Sequence, residues 1–128
     1  MTKNLKKKIE LSNLLEQVET NFDSKEIISK LDNLHSKSKA HVIGITGAPG
    51  VGKSSLIDKL VKHIRKKNKS VGIIAIDPSS ERSGGALLGD RTRLMLNPSD
   101  NEVFVRSMAS KSFLGGISEL TYPSMVVM

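Results

Sequence analysis

Residues 47–54 carry the sequence feature that most constrains this chain. They read Gly-Ala-Pro-Gly-Val-Gly-Lys-Ser and match the pattern G-x-x-x-x-G-K-[ST] at every fixed position. The glycines at 47, 50 and 52 allow the backbone to curl so that successive N–H groups point at one anion. A short apolar segment precedes the pattern and an amphipathic segment follows it, which is the strand–loop–helix setting that a phosphate-binding loop requires. A chance glycine-rich turn would lack this setting, so we predict that the loop binds the phosphates of a nucleotide.

The residues of this loop have distinct predicted roles. Lys53 can reach the β- and γ-phosphates, the Ser54 hydroxyl is the expected Mg²⁺ ligand, and Ser55 can donate to the α-phosphate. A helix that begins near Lys53 directs its positive end at the same anion. The predicted phosphate-binding residues are Gly47, Ala48, Pro49, Gly50, Val51, Gly52, Lys53, Ser54 and Ser55.

The segments around the loop alternate between strand and helix patterns. We predict a short apolar strand over 42–46, an amphipathic helix over 56–64 that ends near Asn68, and a strand over 71–76. A further strand is predicted at 103–106, and a short helical turn at 90–96. This order is typical of an α/β protein of the P-loop NTPase class, in which helices flank a parallel sheet.

Two amphipathic helices are predicted ahead of the loop, over residues 9–21 and from Asp23 to Ser36. Asp23 offers an N-cap, and Glu26 follows it three residues later in a capping-box arrangement. Residues 36–39 form a polar linker. We therefore predict an N-terminal helical extension over residues 1–40 and the N-terminal part of a P-loop domain over residues 41–128.

Composition excludes several classes of protein. The net charge is +7, but only 3% of the residues are aromatic, so stacking platforms are scarce and we do not expect a nucleic-acid partner. The absence of cysteine excludes a disulfide framework and a thiolate metal site. No apolar run is long enough for a membrane span, and the charged start does not fit a signal peptide. We therefore expect a soluble, cytoplasmic protein without a membrane partner.

Two aspartates are candidates for metal and switch chemistry. Asp77 ends the predicted strand at the edge where open α/β sheets bind ligands. Asp90 lies in a glycine-flanked segment and could contact the metal only when a γ-phosphate is present. Alternatively, Asp77 is a strand-end turn residue and Asp90 is a helix N-cap. Three arginines could stabilise transition-state charge, although solvated loop arginines are commoner; they are Arg82, Arg91 and Arg93.

Residues 41–118 resemble the methylmalonyl-CoA mutase-associated GTPase family (MeaB/ArgK-like proteins). The resemblance lies in residues 44–57, 77–80, 83–93, 104–109 and 114–116. It implies a GTPase that uses GTP, GDP and Mg²⁺, in which Asp77 and Asp90 belong to the metal and switch apparatus together with Lys53 and Ser54. It also implies a chaperone that assists an adenosylcobalamin-dependent mutase in cofactor loading and protection, and that is a homodimer when full length.

The sequence departs from the family pattern in two places. Many relatives have arginine and glycine where this chain has Lys111 and Ser112. Relatives also continue through a helix, here from Ile117 to Met128, into a Glu-Thr-Val-Gly switch strand and an Asn-Lys-x-Asp guanine-reading motif. We therefore expect an incomplete domain that ends before the switch II and base-recognition motifs. By itself it should hydrolyse GTP negligibly, and turnover near that of a full-length relative would contradict this.

Three functional classes stay open at this point. The first, which we favour, is the GTPase chaperone of a cobalamin enzyme. The second is an ATP-dependent kinase or ATPase linked to basic amino-acid transport. The third is a non-catalytic fragment that binds phosphate weakly. An Asn-Lys-x-Asp motif further along the gene would favour the first class over the second.

Overall fold

A computed structural model describes residues 3–77, 96–97, 99–109 and 117–128. Within these residues the helices are α1 (Lys3–Asn21), α2 (Lys25–Lys37), α3 (Lys53–Lys66) and α4 (Thr121–Val127), and the strands are β1 (Val71–Asp77) and β2 (Val103–Ala109). The two strands pair in parallel, so the predicted α/β class with a parallel sheet is confirmed. No described helix is long and apolar enough to cross a bilayer.

The register of the sheet aligns the two strands at both of their ends. Val71 lies opposite Val103, and Asp77 lies opposite Ala109. The prediction of a strand from 103 to 106 is confirmed, and the strand continues for three more residues to Ala109. Chain segments that leave the two strands therefore begin side by side at the carboxyl edge of the sheet.

The segment 42–46 is not a strand, so the prediction of an apolar strand there is wrong. Within the described residues, no ladder pairs this segment with β1 or β2. The side chains of Val42 and Ile43 are 65% and 63% exposed. An apolar sequence indicates where a strand could be buried, but a strand exists only through hydrogen bonds to a neighbour. Of the predicted strand–helix–strand unit, the described chain thus contains the helix α3 and the strand β1.

Helix α3 and strand β1 are in contact and are joined by a short turn, which implies that they run in opposite directions. The helix has 14 residues and the strand has 7, which correspond to about 21 Å and about 23 Å. The turn between them passes through Asn68, whose φ is 56°, a left-handed conformation that asparagine tolerates better than most residues. Because the turn is short and the two lengths match, the start of α3 lies at the same end as Asp77.

Helices α1 and α2 pack on α4 and so are joined to the rest of the described chain. Leu15 and Val18 of α1 are fully buried, and Ile27 of α2 is buried. Ile9 of α1 and Ile28 of α2 are 42% and 45% exposed, so the amphipathic patterns predicted only part of the buried face of each helix.

The N-cap of α2 is Ser24, so the prediction of Asp23 as the cap is wrong by one residue. The Ser24 hydroxyl accepts a hydrogen bond from the Ile27 N–H at 3.2 Å. Glu26 instead pairs with Lys30 at 2.7 Å, and the hydrogen bond from Lys30 lowers the pKa of Glu26. Both Asp and Ser can cap a helix, and the sequence alone does not separate two adjacent candidates.

Helix α4 starts at Thr121, four residues after the predicted start at Ile117. The Ser118 N–H donates to Thr121 Oγ1 at 2.9 Å, which forms a turn ahead of the helix. At the other end, a Cβ on Gly72 would lie only 2.8 Å from Cε of Met128. Because Gly72 has no Cβ, the Met128 side chain can pack against β1 at this position.

Strand β2 is also tied to α1 by polar contacts. Arg106 donates through Nε to Glu19 Oε1 at 2.9 Å and through Nη2 to Glu19 Oε2 at 2.5 Å. Lys8 Nζ donates to the carbonyl oxygen of Asp100 at 3.0 Å. Two nitrogens of one guanidinium on two carboxylate oxygens form the geometry that fixes orientation best, so α1 is held to β2 in a defined orientation.

Asp100 connects α3 to the start of β2. Its Oδ2 accepts from Arg65 Nε at 2.9 Å, and its Oδ1 accepts from the Glu102 N–H at 3.0 Å. The hydrogen bond from Arg65 is the main cause that lowers the pKa of Asp100, and the bond from Glu102 adds to it. The hydrogen bond between Arg65 and Asp100 is also the main cause that raises the pKa of Arg65.

We expect the stability advantage of the wild type over Asp100→Asn to be present near neutral pH and to be lost in acid. The pKa of Asp100 is lower in the folded chain than in the unfolded chain, so the unfolded chain takes up the proton first as the pH falls. The contribution of the Asp100 carboxylate to the free energy of unfolding is therefore complete above its pKa in the unfolded chain. It disappears as the pH falls through its pKa in the folded chain. Urea unfolding from neutral pH to about pH 2.5 measures it. The exposed Asp32 provides the control, Asp32→Asn, and an Asp100 advantage that persists in acid would contradict the prediction.

Candidate nucleotide-phosphate site

Residues 47–52 form a turn that leads directly into α3. The φ angles of Gly47, Gly50 and Gly52 are 149°, 79° and 93°, values at which residues with a Cβ are strained. Gly52 is the N-cap of the helix, in a left-handed conformation. The loop is thus neither extended nor helical, and its three glycines adopt the conformations for which the sequence pattern requires glycine.

Lys53, the first residue of α3, folds back over the loop. Its Nζ donates to the carbonyl oxygen of Gly47 at 2.7 Å and to that of Ala48 at 2.8 Å. The ammonium group is therefore held against the turn at which a phosphate is predicted to bind. The sequence pattern predicted Lys53 as a phosphate ligand, but it gave no sign of these two contacts.

The start of α3 presents backbone donors next to this ammonium group. The Leu56 N–H donates to the Gly52 carbonyl oxygen at 3.0 Å, which is the first helical hydrogen bond. The N–H groups of Lys53, Ser54 and Ser55 come before that bond and have no acceptor within the helix. Such N–H groups, at the positive end of the helix dipole, are the usual partners of a bound phosphate.

Solvent has free access to the loop. Residues 47–52 are exposed, and Val51 is 63% exposed. Lys53 and Ser54 are half-buried, and Ser55 is exposed. A nucleotide could therefore approach the turn directly from solvent.

Asp77 lies at the same end of the molecule as this loop. It is the last residue of β1, as predicted, and Ala109 is its partner in β2. Asp90 and the candidate arginines Arg82, Arg91 and Arg93 lie outside the described residues, as does most of the predicted helical turn at 90–96. Their roles stay predictions.

The residues present suit a magnesium ion that a nucleotide brings with it. Among the described residues, no group of three His, Cys, Asp or Glu side chains could hold a metal ion alone. Ser54 offers one hydroxyl in the first turn of α3. Mg²⁺ usually keeps several waters and takes few protein oxygens besides those of phosphates, so the Ser54 hydroxyl is a fitting ligand.

We expect Gly52→Ala to lower the affinity for a fluorescent GTP analogue by about tenfold, because a left-handed residue with a Cβ costs about 1–2 kcal/mol. A Cβ at this position would meet no atom within 4 Å, so the effect would come from the backbone and not from a clash. Gly44→Ala is the matched control, since Gly44 also has open space but no positive φ. Equal affinities of the two variants in a fluorescence titration would contradict the prediction.

Comparison with known proteins assigns the chain to a family. The sequence profile described as "Methylmalonyl Co-A mutase-associated GTPase MeaB" matches residues 10–128. The chain belongs to this family. The resemblance noted from the P-loop and the aspartate-containing segments is therefore confirmed, and the match includes most of α1 and all of α2 in addition to the P-loop of this MeaB family member.

Individual relatives agree with this assignment. A Pyrococcus horikoshii protein that carries a provisional GTPase name is 46% identical over 108 residues, which cover 75% of this chain and 34% of that protein. The fused isobutyryl-CoA mutase of Cupriavidus metallidurans is 40% identical over 115 residues, or 85% of this chain and 10% of that protein. The mouse mitochondrial methylmalonic aciduria type A homolog is 35% identical over 85 residues, or 66% of this chain and 20% of that protein. The chain spans about a third of the length of the first of these relatives.

Proposed function

We propose that this protein binds and hydrolyses GTP and assists an adenosylcobalamin-dependent mutase of the methylmalonyl-CoA mutase type. The assistance consists of gating the loading of the cofactor and protecting the mutase from inactivation. The observation that carries the proposal is the position of the Lys53 ammonium over the P-loop turn, in a chain that belongs to the family of mutase-associated GTPases.

In this proposal the loop and the start of α3 bind the triphosphate. The N–H groups of residues 50–55 and the Lys53 ammonium neutralise the phosphate oxygens, and the Ser54 hydroxyl binds Mg²⁺. When bound, Mg²⁺ neutralises charge on the β- and γ-phosphates. Asp77 orients a water of the metal shell, and Asp90 responds to the γ-phosphate as a switch residue. Positioning and charge neutralisation supply most of the catalysis in phosphoryl transfer, and these residues provide both.

A mutase as the partner is supported by the names of the family and of one relative. The Cupriavidus metallidurans relative is a fused isobutyryl-CoA mutase, so a region similar to this chain occurs there within a mutase polypeptide. We propose that the present protein contacts its mutase as a separate chain and that it acts in the cytoplasm as a homodimer. Residues 1–40 form the helical extension of the protein, and residues 41–128 belong to its GTPase domain.

The proposal is tested with the full-length protein and the mutase of the same organism. GTP hydrolysis is measured with and without the mutase, and loss of mutase activity during turnover is followed with GTP, with GDP and without nucleotide. We expect the mutase to stimulate hydrolysis and the nucleotide-loaded protein to slow inactivation. The assisting role would be refuted if the mutase did not change GTP hydrolysis and the nucleotide-loaded protein did not change the inactivation of the mutase.

Nucleotide specificity needs its own measurement. Unlabelled GTP and ATP are compared as competitors of a fluorescent GTP analogue at equal concentrations. We expect GTP to displace the analogue and ATP to leave it bound. Equal displacement by ATP would favour the alternative of an ATP-dependent enzyme.

A further inference from the structure

Two groups of lysines that are distant in the sequence meet at one end of the molecule. Lys8 donates to the backbone carbonyl of Asp100, and Arg65 donates to the carboxylate of the same residue. The first turns of α1 and the last turn of α3 are therefore neighbours across Asp100. We call the resulting surface the basic edge, and its six lysines are Lys6, Lys7, Lys8, Lys66, Lys67 and Lys69.

The carboxylates near the basic edge are largely engaged within the chain. Asp100 pairs with Arg65 at 2.9 Å. Glu102 also has an interaction partner, and Glu10 is the remaining acidic side chain close in sequence to the lysines of α1. The basic edge therefore keeps an excess of positive charge, and the net charge of +7 is concentrated there and along α3.

Helix electrostatics explains only half of this arrangement. Lys66 in the last turn of α3 and Lys67 at its C-cap stabilise the negative end of the helix dipole. The first turn of α1, in contrast, contains no acidic residue, and lysines begin the helix at its positive end, where positive charge is unfavourable. Bringing these lysines beside those of α3 adds further repulsion. A partner with negative charge would relieve both costs.

We propose that the basic edge is a docking surface for an acidic face of the mutase, and this inference rests on the proposed function. A protein partner fits better than a nucleic acid, because only 3% of the residues of the chain are aromatic and could stack on bases. A lipid surface fits less well, because the buried apolar stripe of α1, with Leu15 and Val18, is covered within the chain and is not available for insertion.

The position of the basic edge allows docking and nucleotide exchange to occur together. The basic edge lies at the end of α3, and the P-loop lies at its start, about 21 Å away along a helix of 14 residues. Helix α3 thus links the two surfaces, and we expect a mutase docked at the basic edge to leave the turn at residues 47–52 accessible.

The test uses the full-length protein and two variants that lose the same charge. The edge variant carries Lys7→Gln, Lys66→Gln and Lys67→Gln. The control variant carries Lys25→Gln, Lys37→Gln and Lys39→Gln, which are exposed lysines of α2 and the following linker. The dissociation constant for the mutase is measured by calorimetry at about 50 mM and about 200 mM salt, since screening weakens such contacts. Affinity for a fluorescent GTP analogue serves as the check of folding.

We expect the edge variant to bind the mutase about tenfold more weakly at low salt, with a smaller loss at high salt, and the control variant to change by less than about twofold. Equal losses in both variants, or full affinity of the edge variant, would overturn the docking surface and leave the proposed function intact. If the wild type binds no mutase, both the docking surface and the proposed function are refuted. An edge-specific loss seen with a 20-base-pair DNA duplex or with phosphatidylserine vesicles, but not with the mutase, would also overturn the inference.

Discussion

Lys53→Ala is expected to lower the affinity for a fluorescent GTP analogue by about 100-fold or more. The ammonium group is held against the loop by two of its carbonyl oxygens, and charge-assisted hydrogen bonds to two phosphates are each worth about 1.5–3 kcal/mol. A fluorescence titration of the wild type and the variant measures the difference.

The control for this substitution is Lys59→Ala on the same helix. Lys59 is exposed and six residues further along α3, so its loss removes the same charge from the same element without touching the loop. We expect the affinity of this control to stay within about twofold of the wild type, because an exposed charge at that distance is largely screened. If Lys53→Ala and the wild type bound the analogue equally, the loop would not be a phosphate site in this chain.

Leu15→Ala is expected to lower the free energy of unfolding by about 3 kcal/mol. The Leu15 side chain is fully buried, and truncating a buried leucine typically costs about 2–5 kcal/mol through lost apolar burial and the remaining cavity. Urea unfolding followed by circular dichroism measures the change. Because α1 packs on α4, the substitution tests whether the N-terminal helices are part of the folded unit.

Ile9→Ala provides the comparison on the same helix. Ile9 is 42% exposed, so its truncation removes less buried surface, and we expect a loss of less than about 1 kcal/mol. Equally small losses for the two variants, below about 1 kcal/mol, would mean that α1 does not bury Leu15 in the folded chain. The N-terminal helices would then be an appendage that contributes little to the stability of the chain.

The sequence allowed the phosphate loop to be predicted in detail because its requirements are local. Gly47, Gly50 and Gly52 each have the positive φ that explains why the pattern contains glycine there. The helix that follows begins at Lys53, as predicted. Strand β1 could also be predicted, because a nearly continuous apolar run is typical of a parallel strand that is covered on both faces.

The features that could not be predicted depend on partners far away in the chain. Glu19 and Arg106 are 87 residues apart, and neither residue has a sequence pattern that indicates the other. The expected strand at 42–46 was wrong for a related reason. Apolarity at Val42 and Ile43 indicates a tendency to be buried, but it does not identify the neighbouring strand that would supply the hydrogen bonds.

The contacts of Lys53 have a consequence for how readily a nucleotide leaves. An ammonium group that loses its phosphate partners would ordinarily have to be solvated anew. Here the carbonyl oxygens of Gly47 and Ala48 are within 2.8 Å and can take over at once. In the proposed cycle, departure of a phosphate would therefore leave the Lys53 ammonium group hydrogen-bonded to the loop itself.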